Sequence, residues 1–372
     1  MYLPPSIRGR ARAKILFSLF LIAFPFRLAA QEFGSVTLLF AGDLMQHQAQ
    51  IDAARSADGT YDYSHCFTHV KEEISRADLA IGNLEVTLAG PPYRGYPQFS
   101  APDAYAQAIK DAGFDILLTA NNHCLDRRRQ GLERTLLMLD SLQIPHAGTY
   151  RNAEERREKY PLIVERNGLR IALLNYTYGT NGIPVQQPNI VNFTDRQVML
   201  DDIEQARSKR PDLIIACMHW GIEYRLKPEK QERELAEWLI SQGVDHVIGS
   251  HPHVVQPMEL HTQPILPRQH LVVYSLGNYL SNMSAPNTDG GAMLKMTIRR
   301  IGHLTRVTDC RYSLVWTSRP ALNGKGIYQI YPVGNPPKDI QPAEKQRMEK
   351  FANTARDLFR RYNIGVEEYF FK

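Results

Sequence analysis

Apolar runs typical of buried strands alternate with helical patterns along most of this chain, and this alternation limits the fold more than any other feature. The runs are continuous and rich in β-branched residues, which indicates strands covered on both faces. They lie at Val36–Phe40, Leu79–Ile81, Ile116–Leu118, Ile171–Leu174, Leu213–Ala216, Val244–Ile248 and Leu271–Tyr274. Helical patterns lie between them at Asp103–Ala112, Leu132–Leu142, Asp195–Lys209 and Glu229–Gln242. The sequence therefore predicts an α/β protein.

The domain boundaries follow from a change of pattern near residue 320. Strand and helix signals fill residues 34–320, which we predict to form the main domain. Residues 321–372 are expected to hold a linker and a C-terminal amphipathic helix over Ala343–Tyr362. Within the main domain, Thr194 with Gln197 forms a capping-box pattern and is expected to start a helix.

The first thirty residues differ in composition from the rest of the chain. Basic residues precede an apolar run, Ile15–Phe26, and small residues follow at positions 29 and 30. This pattern predicts a signal peptide over residues 1–30, cleaved before Gln31, and an apolar run of this length is short for a bilayer span. The alternative is an uncleaved anchor. Either way we expect export across the inner membrane to a periplasmic or cell-envelope location, with membrane attachment through the N-terminus in the second case.

Charge and cysteine usage argue against a nucleic-acid-binding protein and against a disulfide-rich one. The formal net charge is +5, and the first thirty residues supply five basic residues and no acidic ones, so 5 − 5 leaves the remainder near zero. This balance gives no support for a nucleic-acid partner. The four cysteines are widely spaced and lack a CxxC pattern, which favours buried, unpaired thiols over a disulfide framework, with a single bridge as the alternative.

Polar side chains follow the predicted strands at the points where they end. Because the carboxyl ends of parallel strands converge on one crevice, residues far apart in sequence are expected to meet there. Carboxylates, imidazoles and an amide oxygen suit Zn, Mn or Fe(II). Two metals bridged by one carboxylate can activate a water molecule and neutralise charge on a substrate oxygen. The strand-end residues of these types are Asp43, His47, Asn83, Glu85, Asn121, Asn122, His123, Asp126, His219, His251 and His253.

The motifs around these residues resemble a known family. They read GDLM, GNLE, ANNHCLD, HWGIEY, GSHPHVVQP and YSLGN, in this order, and cover about Ser35 to Tyr279. This set resembles the CapA (PgsA) family, named for poly-γ-glutamate capsule synthesis, whose domain is similar to the calcineurin-like metallophosphoesterases. The resemblance implies a metallophosphoesterase-like, four-layer α/β/β/α sandwich.

The same resemblance implies a centre with two divalent metal ions, Mn, Zn or Fe. One ion would be held by Asp43, Glu85 and His253. The other would be held by Glu85, Asn122, His219 and His251. Glu85 would then bridge the two ions. Because His251 and His253 flank a proline, we expect an extended segment whose side chains point to opposite sides, one toward each ion.

Catalytic roles are also implied, together with two departures from the phosphoesterase pattern. His123 would protonate a leaving group or steady an oxyanion, and Asp126 would orient it. The opening phosphoesterase motif is Asp-x-His, but its third position here is Met45, so His47 or water would have to replace an imidazole. The usual bridging aspartate is Glu85, which keeps the charge and lengthens the reach.

Aromatic and basic residues near these strand ends are candidates for substrate contact. Arg94 and Tyr96 lie in a proline-rich stretch after the Glu85 motif, and Tyr176 and Tyr178 follow another strand. Such loops form walls or lids of active sites, although these side chains are equally expected to pack the loops together. Asn278 in YSLGN either binds substrate or holds a turn.

By resemblance, the expected role is in synthesis or export of poly-γ-glutamate or a related envelope polymer. A first hypothesis is enzymatic, with the centre acting as a hydrolase or transferase on an anionic polymer or a phosphoester. A second is a metal-dependent polymer-binding accessory module that works with membrane-bound synthesis proteins. A third is a phosphoesterase acting on an unrelated envelope substrate.

Overall fold

The protein is described by a computed structural model that covers residues 1–2, 34–262, 268–302 and 304–371. The predicted signal peptide, apart from its first two residues, lies outside this part of the chain. None of the helices in the covered ranges combines the length and the apolar character that a bilayer crossing requires.

The strands and helices follow each other along the chain with short connections. The strands are β1 (Ser35–Leu44), β2 (Leu79–Leu84), β3 (Ile116–Leu118), β4 (His146–Ala147), β5 (Thr149–Tyr150), β6 (Leu162–Arg166), β7 (Leu169–Thr177), β8 (Ile190–Val191), β9 (Leu213–His219), β10 (His246–Ser250), β11 (Met258–Thr262), β12 (Gln269–Val273), β13 (Asn278–Leu280), β14 (Gly290–Ile301), β15 (Leu304–Ser318), β16 (Gln329–Pro332) and β17 (Glu367–Glu368). The helices are α1 (Gln48–Ala54), α2 (Lys71–Ser75), α3 (Asp103–Asp111), α4 (Arg128–Ser141), α5 (Ala153–Lys159), α6 (Arg196–Ser208), α7 (Lys230–Ser241), α8 (Pro320–Asn323) and α9 (Pro342–Tyr362).

Two mixed sheets organise the molecule. The first has the order β16-β15-β14-β1-β2-β3-β4, with β13 beside β1 and β17 beside β15. In it β1 to β4 run parallel, whereas β14, β15 and β16 are joined by antiparallel pairings. The second sheet has the order β11-β12-β10-β9-β7-β6, with a parallel centre and antiparallel edges. Strands β5 and β8 form a small separate ladder.

The sheets pack face to face, and helices cover their outer faces. Along β1, Leu38 and Phe40 belong to the apolar cluster between the sheets, whereas Leu39 and Ala41 belong to the cluster under the outer helices. A third cluster joins the second sheet to α6 and α7. Each buried leucine, isoleucine or phenylalanine contributes about 1.5–3 kcal/mol of transfer free energy. The expected four-layer α/β/β/α sandwich is confirmed, and burial on both faces explains the continuous apolar runs.

One predicted helix start was placed one residue too early. The residue that caps α6 is Asp195, whose carboxylate accepts hydrogen bonds from the backbone N–H groups of Gln197 and Val198 at 2.9 and 3.0 Å. The prediction had assigned this role to Thr194. An aspartate caps a helix as well as a threonine does, so sequence spacing alone does not distinguish the two neighbours.

The C-terminal residues pack onto the sandwich. Strand β16 pairs with β15 at the edge of the first sheet, and α9 places Met348, Phe351 and Phe359 in the cluster between the sheets. The four cysteines are buried and unpaired, as the sequence favoured.

Aspartates lie at the amino-terminal edges of both sheets and link neighbouring strands. Each precedes a parallel strand, and its carboxylate accepts a hydrogen bond from a backbone N–H on the neighbouring strand. The pairs are Asp78 with Thr37 (2.7 Å), Asp115 with Ala80 (2.8 Å), Asp212 with Arg170 (2.7 Å) and Asp245 with Ile214 (2.8 Å). These acidic residues therefore have a structural role, which separates them from the acidic residues at the carboxyl edge.

Candidate metal centre

The predicted ligands meet at the carboxyl ends of strands from both sheets. Asp43 lies at the end of β1, and Glu85 and Asn122 follow β2 and β3. His219 ends β9, and the histidine pair follows β10. The six side chains are all buried, so the cluster lies within the sandwich rather than on a surface loop. They are Asp43, Glu85, Asn122, His219, His251 and His253.

A close approach between two backbone segments sets the position of Asp43. A Cβ atom at Gly42 would lie 1.9 Å from the carbonyl oxygen of Gly277, so only glycine fits there. The next residue, Asp43, donates its backbone N–H to that carbonyl at 2.9 Å and stands in register with Asn278 on β13. The GD and GN pairs of the two motifs therefore pack against each other.

Ligand-type atoms form two overlapping groups. Glu85, His251 and His253 make up the first, and Asp43, Glu85 and His219 make up the second, with the atoms of each group within 4.8 Å of one another. The Oε1 atom of Glu85 lies 3.7 Å from Nε2 of His219 and 3.9 Å from Nε2 of His253. The Oδ1 atom of Asn122 lies 3.0 Å from Nε2 of His219. Glu85 is common to both groups, as expected of a shared ligand. The groups divide the histidines differently from the prediction, which had placed His253 with Asp43 and His251 with His219.

Several buried polar atoms in the cluster lack hydrogen-bond partners among the described residues. They are Oδ2 of Asp43, both carboxylate oxygens of Glu85 and Nδ1 of His251. Oδ2 of Asp43 also lies 3.3 Å from Nδ1 of His253, a distance that allows ion pairing. Unpartnered buried polar atoms cost about 1–3 kcal/mol each, more when charged, so folded proteins rarely keep several together. All are atoms that bind divalent cations. The residues present therefore fit a metal centre.

The electrostatics of the cluster also fit a cation. Burial, and then the neighbouring carboxylate of Asp43, raises the pKa of Glu85 well above its usual value. Burial lowers the pKa of His219 well below its usual value and that of His251 to about 3, with further lowering from neighbouring imidazoles. Neutral imidazoles are the form that binds metals, and a divalent cation would stabilise the paired carboxylates.

The segment carrying the histidine pair is bent, so the prediction of an extended segment was wrong. His251 has φ +98° and His253 has φ +58°, both in the left-handed region. Their ring centroids lie 5.8 Å apart, and the ring of His251 is 4.8 Å from that of His219. Left-handed conformations in residues other than glycine cost about 1–3 kcal/mol each and concentrate at functional sites. The bend brings both imidazoles to one cluster.

The side chain of Asn278 orients one of these imidazoles. Its Nδ2 donates to the carbonyl of Thr288 at 2.8 Å, which turns its Oδ1 toward Nδ1 of His253 at 3.1 Å. Nδ1 of His253 therefore carries the proton, and Nε2 is left as the ligand atom. Because Asn278 is fully buried and both polar atoms are engaged, it is placed to position His253 and not to contact substrate.

We expect Asn278→Ala to weaken metal binding about 10- to 100-fold, the usual effect of removing a partner that orients a ligand. Isothermal titration of the metal-stripped protein with Zn²⁺ or Mn²⁺ measures this change. Asn189→Ala is the matched control, since Asn189 is equally buried but bonds to Glu133 and the Arg151 carbonyl. Equal affinity in wild type and Asn278→Ala would contradict the orienting role.

His123 is held next to the cluster by Asp126. Nδ1 of His123 lies 2.7 Å from Oδ2 of Asp126, and the same oxygen accepts the Phe99 backbone N–H at 2.8 Å. The Phe99 ring packs against the imidazole with centroids 4.6 Å apart. Burial raises the pKa of Asp126, while its bond with His123 opposes the rise. This arrangement favours a proton on Nδ1 and leaves Nε2 available for proton exchange.

Met45, which occupies the position of the histidine in the phosphoesterase opening motif, packs in the apolar core. Met45 is buried in the apolar cluster under the outer helices of the first sheet. Nδ1 of His47 lies 3.2 Å from Oε1 of Gln50 and 3.3 Å from the Asn282 backbone nitrogen. Burial lowers the pKa of His47 to about 4, with smaller contributions from His253 and His123. His47 therefore borders the cluster, and its use as a ligand stays a prediction.

The candidate substrate residues separate into two groups. Tyr178 lies at the cluster, with its ring 4.6 Å from that of His251. Tyr96 is 74% exposed and stands over Phe99 with ring centroids 6.3 Å apart, and Arg94 is exposed in the same loop. Tyr176 is fully buried under α6 and donates its hydroxyl to Asp202 at 2.9 Å, so it is not placed to contact a substrate.

Two polar residues of the motifs were given no role from sequence. Nδ2 of Asn83 lies 2.8 Å from Oδ1 of Asp43 and 3.3 Å from Nδ1 of His219, so it links ligands from the two sheets. The charge of Glu223 contributes to raising the pKa values of Glu85 and Tyr178. A polar residue inside a buried strand and an acidic residue four positions after a ligand histidine were the available signals.

Solved structures with similar chain traces include two phosphoesterases. A phosphatase from Mycoplasma pneumoniae aligns with a TM-score of 0.44 and 14% identity, covering 76% of this chain and 94% of the other. The calcineurin-like phosphoesterase YfkN from Bacillus subtilis aligns with a TM-score of 0.44 and 11% identity, covering 87% of this chain and 99% of the other.

Similar sequences give the clearer assignment. The chain is 26% identical to the capsule biosynthesis protein CapA of Bacillus anthracis over 279 residues, which cover 72% of this chain and 65% of that protein, just under two thirds of its length. It is 27% identical to the PGA biosynthesis protein CapA of Bacillus subtilis over 277 residues, which cover 71% and 68%.

The family described as bacterial capsule synthesis protein PGA_cap matches residues 37–283. The match spans well over half of the chain and contains the whole cluster from Asp43 to Asn278. The family expected from the motifs is confirmed: the chain belongs to the bacterial capsule synthesis protein PGA_cap family.

Proposed function

We propose that this protein acts in the synthesis or export of poly-γ-glutamate or a related envelope polymer through a dinuclear metal centre with hydrolase or transferase activity. Membership of the capsule synthesis family and the similarity to two capsule and PGA biosynthesis proteins named CapA support the biological role. The observation that carries the chemistry is the set of unpartnered buried atoms from Asp43, Glu85 and His251.

The ligand set divides between two Zn, Mn or Fe ions in this proposal. Asp43, Glu85 and His253 would hold one ion. Glu85, Asn122, His219 and His251 would hold the other. Bound divalent ions supply Lewis acidity and lower the pKa of coordinated water. The remaining chemistry belongs to side chains of the chain itself.

Those side chains transfer a proton, orient a ligand imidazole and cover one side of the centre. His123 exchanges a proton with the leaving group through Nε2, because Asp126 occupies Nδ1. Asn278 holds the ring of His253 in place. Tyr178 covers the imidazoles of His219 and His251 and limits the access of water from that side.

Export and attachment are part of the proposal. The basic and apolar pattern of residues 1–30 supports secretion across the inner membrane, and the family membership supports a periplasmic or cell-envelope location. The substrate is then an anionic polymer or a phosphoester, and the partners are membrane-bound polymer synthesis proteins.

A metal-dependent polymer-binding module is the second candidate. Exposed aromatic rings at Tyr96, Tyr178 and Tyr224 surround the cluster and offer apolar contacts to a chain-like ligand. In this candidate the residues of the metal centre would bind the polymer through divalent ions, and other proteins would perform the chemistry.

The deciding experiment assays purified protein against phosphomonoesters, phosphodiesters and γ-linked glutamate oligomers, each with and without Mn²⁺ or Zn²⁺. Elemental analysis gives the metal content in parallel. The enzymatic proposal expects about two ions per chain and metal-dependent turnover of at least one class. Tight binding of γ-glutamate oligomers with no turnover would favour the binding module, and absence of bound metal would overturn both.

A further inference from the structure

The hairpin between β14 and β15 exposes apolar side chains far from the metal centre. Ile301 is 47% exposed and Leu304 is 58% exposed, and the two residues pair directly across the hairpin. Single exposed apolar residues are ordinary on protein surfaces. A cross-strand pair at the end of a projecting hairpin is different, since it forms one continuous apolar patch. We call Arg299–Ile301 with Leu304–Arg306 the hairpin tip.

Two arginines lie next to this apolar pair, each two residues away along its strand. Arg299 pairs directly with Arg306 across the hairpin, and both are exposed. Neither makes an ion pair with any residue that the structure describes. Like charges placed opposite each other destabilise a β-ladder, so this pair lowers the stability of the isolated domain. An external anion would offset that cost.

Strand alternation places these four side chains together. Residues two apart on a strand share a face, so Arg299 lies on the face of Ile301, and Arg306 on that of Leu304. Between them, Arg300 and Thr305 hold the hairpin to the second sheet: Nη1 of Arg300 lies 3.3 Å from Oδ1 of Asp212, and the Thr305 hydroxyl donates to the Asp212 carbonyl. The tip is therefore firmly supported.

The domain begins beside the tip. The Gly34 carbonyl accepts the Arg300 backbone N–H at 2.9 Å, and Ser35 pairs with Arg299. Three residues separate Ala30, the last residue of the predicted signal peptide, from Gly34. The chain therefore enters the domain at this edge.

We propose that the hairpin tip docks on the anionic surface of a membrane. Ile301 and Leu304 enter the headgroup region, and Arg299 and Arg306 pair with lipid phosphates. An apolar pair flanked by guanidinium groups that form no ion pair with the described residues matches the two contributions that hold peripheral proteins on anionic bilayers. The inference stands independently of the proposed reaction, because it uses no residue of the metal centre.

Vesicle co-sedimentation tests this proposal with protein that begins at Phe33. That part contains every apolar core cluster of the described residues and is expected to fold by itself. We expect binding to vesicles of mixed phosphatidylcholine and phosphatidylglycerol, release by salt and little binding to phosphatidylcholine alone. Arg299→Gln with Arg306→Gln should lower the partition coefficient about five-fold per arginine. Ile301→Ser with Leu304→Ser should lower it by about ten-fold or more.

Matched control variants carry the same kinds of substitution at exposed positions outside the hairpin tip. Leu137→Ser with Val198→Ser alters exposed apolar residues on α4 and α6, and Arg157→Gln with Arg361→Gln removes exposed charges on α5 and α9. Both controls should bind as wild type does, and circular dichroism should show all variants folded. Equal binding by the tip variants and wild type would overturn the proposal. So would a wild-type dimer that the tip variants disrupt and that binds no vesicles.

Discussion

Glu85→Gln is expected to change the stability of the protein in opposite directions with and without metal. Both carboxylate oxygens of Glu85 are buried without a hydrogen-bond partner in the described part of the chain, and its pKa is raised because burial makes ionisation costly. Without metal, the neutral glutamine should therefore raise the free energy of unfolding by about 1–3 kcal/mol. With Zn²⁺ or Mn²⁺ at about 1,000 times its dissociation constant, wild type should gain about 4 kcal/mol. The variant should lose most of that gain.

Urea unfolding of metal-stripped and metal-loaded protein measures both effects. Glu73→Gln is the matched control, since Glu73 is also a buried glutamate but bonds to Nζ of Lys295 at 2.6 Å and to the Tyr369 hydroxyl at 2.8 Å. That variant should be destabilised in both states, because it leaves buried partners behind, and should keep the full gain from metal. If Glu85→Gln behaved like Glu73→Gln, Glu85 would not be a metal ligand.

His123→Ala is expected to reduce turnover about 10²- to 10⁴-fold while leaving the metal content unchanged. The reduction is the usual contribution of a positioned general acid or base. Metal content should persist because His123 belongs to neither group of ligand-type atoms. Steady-state kinetics on whichever substrate class is turned over, together with elemental analysis, tests both halves of the prediction.

Asp126→Asn should give a smaller loss in turnover and a changed pH profile, since Asp126 acts through His123 and its substitution alters the proton on Nδ1. His261→Ala is the control, because His261 is exposed and, among the described residues, forms its ion pair with the nearby Glu259. Turnover by His123→Ala at the wild-type rate would remove His123 from the reaction. A loss of metal in that variant would instead make it a ligand.

The position of the cluster was predictable because it follows from the direction of the strands. Polar residues at the carboxyl ends of parallel strands must meet, and Asp43, Asn122 and His219 do so even though they lie on different sheets. The four-layer fold was likewise visible in apolar runs that are long enough to be covered on both faces.

Backbone conformation and side-chain direction were not predictable in the same way. The left-handed conformations of His251 and His253 are stabilised by the surrounding fold against local preference, so the residue types gave no signal. Tyr176 and Tyr178 stand two apart at the end of one strand, and only the packing of α6 shows that Tyr176 is buried in the core while Tyr178 reaches the cluster. The orienting role of Asn278 could be inferred only from the position of the Thr288 carbonyl, which fixes the direction of the Asn278 amide.

Strand β14 links the metal centre to the hairpin tip and sets their separation. It starts beside Gly277, next to the ligand-orienting Asn278, and continues for 12 residues to the tip. At about 3.4 Å per residue the strand is roughly 37 Å long. If the tip rests on a bilayer with β14 standing upright from it, the metal centre lies well beyond the headgroup layer. It would then be out of reach of lipid-linked precursors lying flat on the bilayer, and would meet a polymer only after it had emerged into the aqueous space.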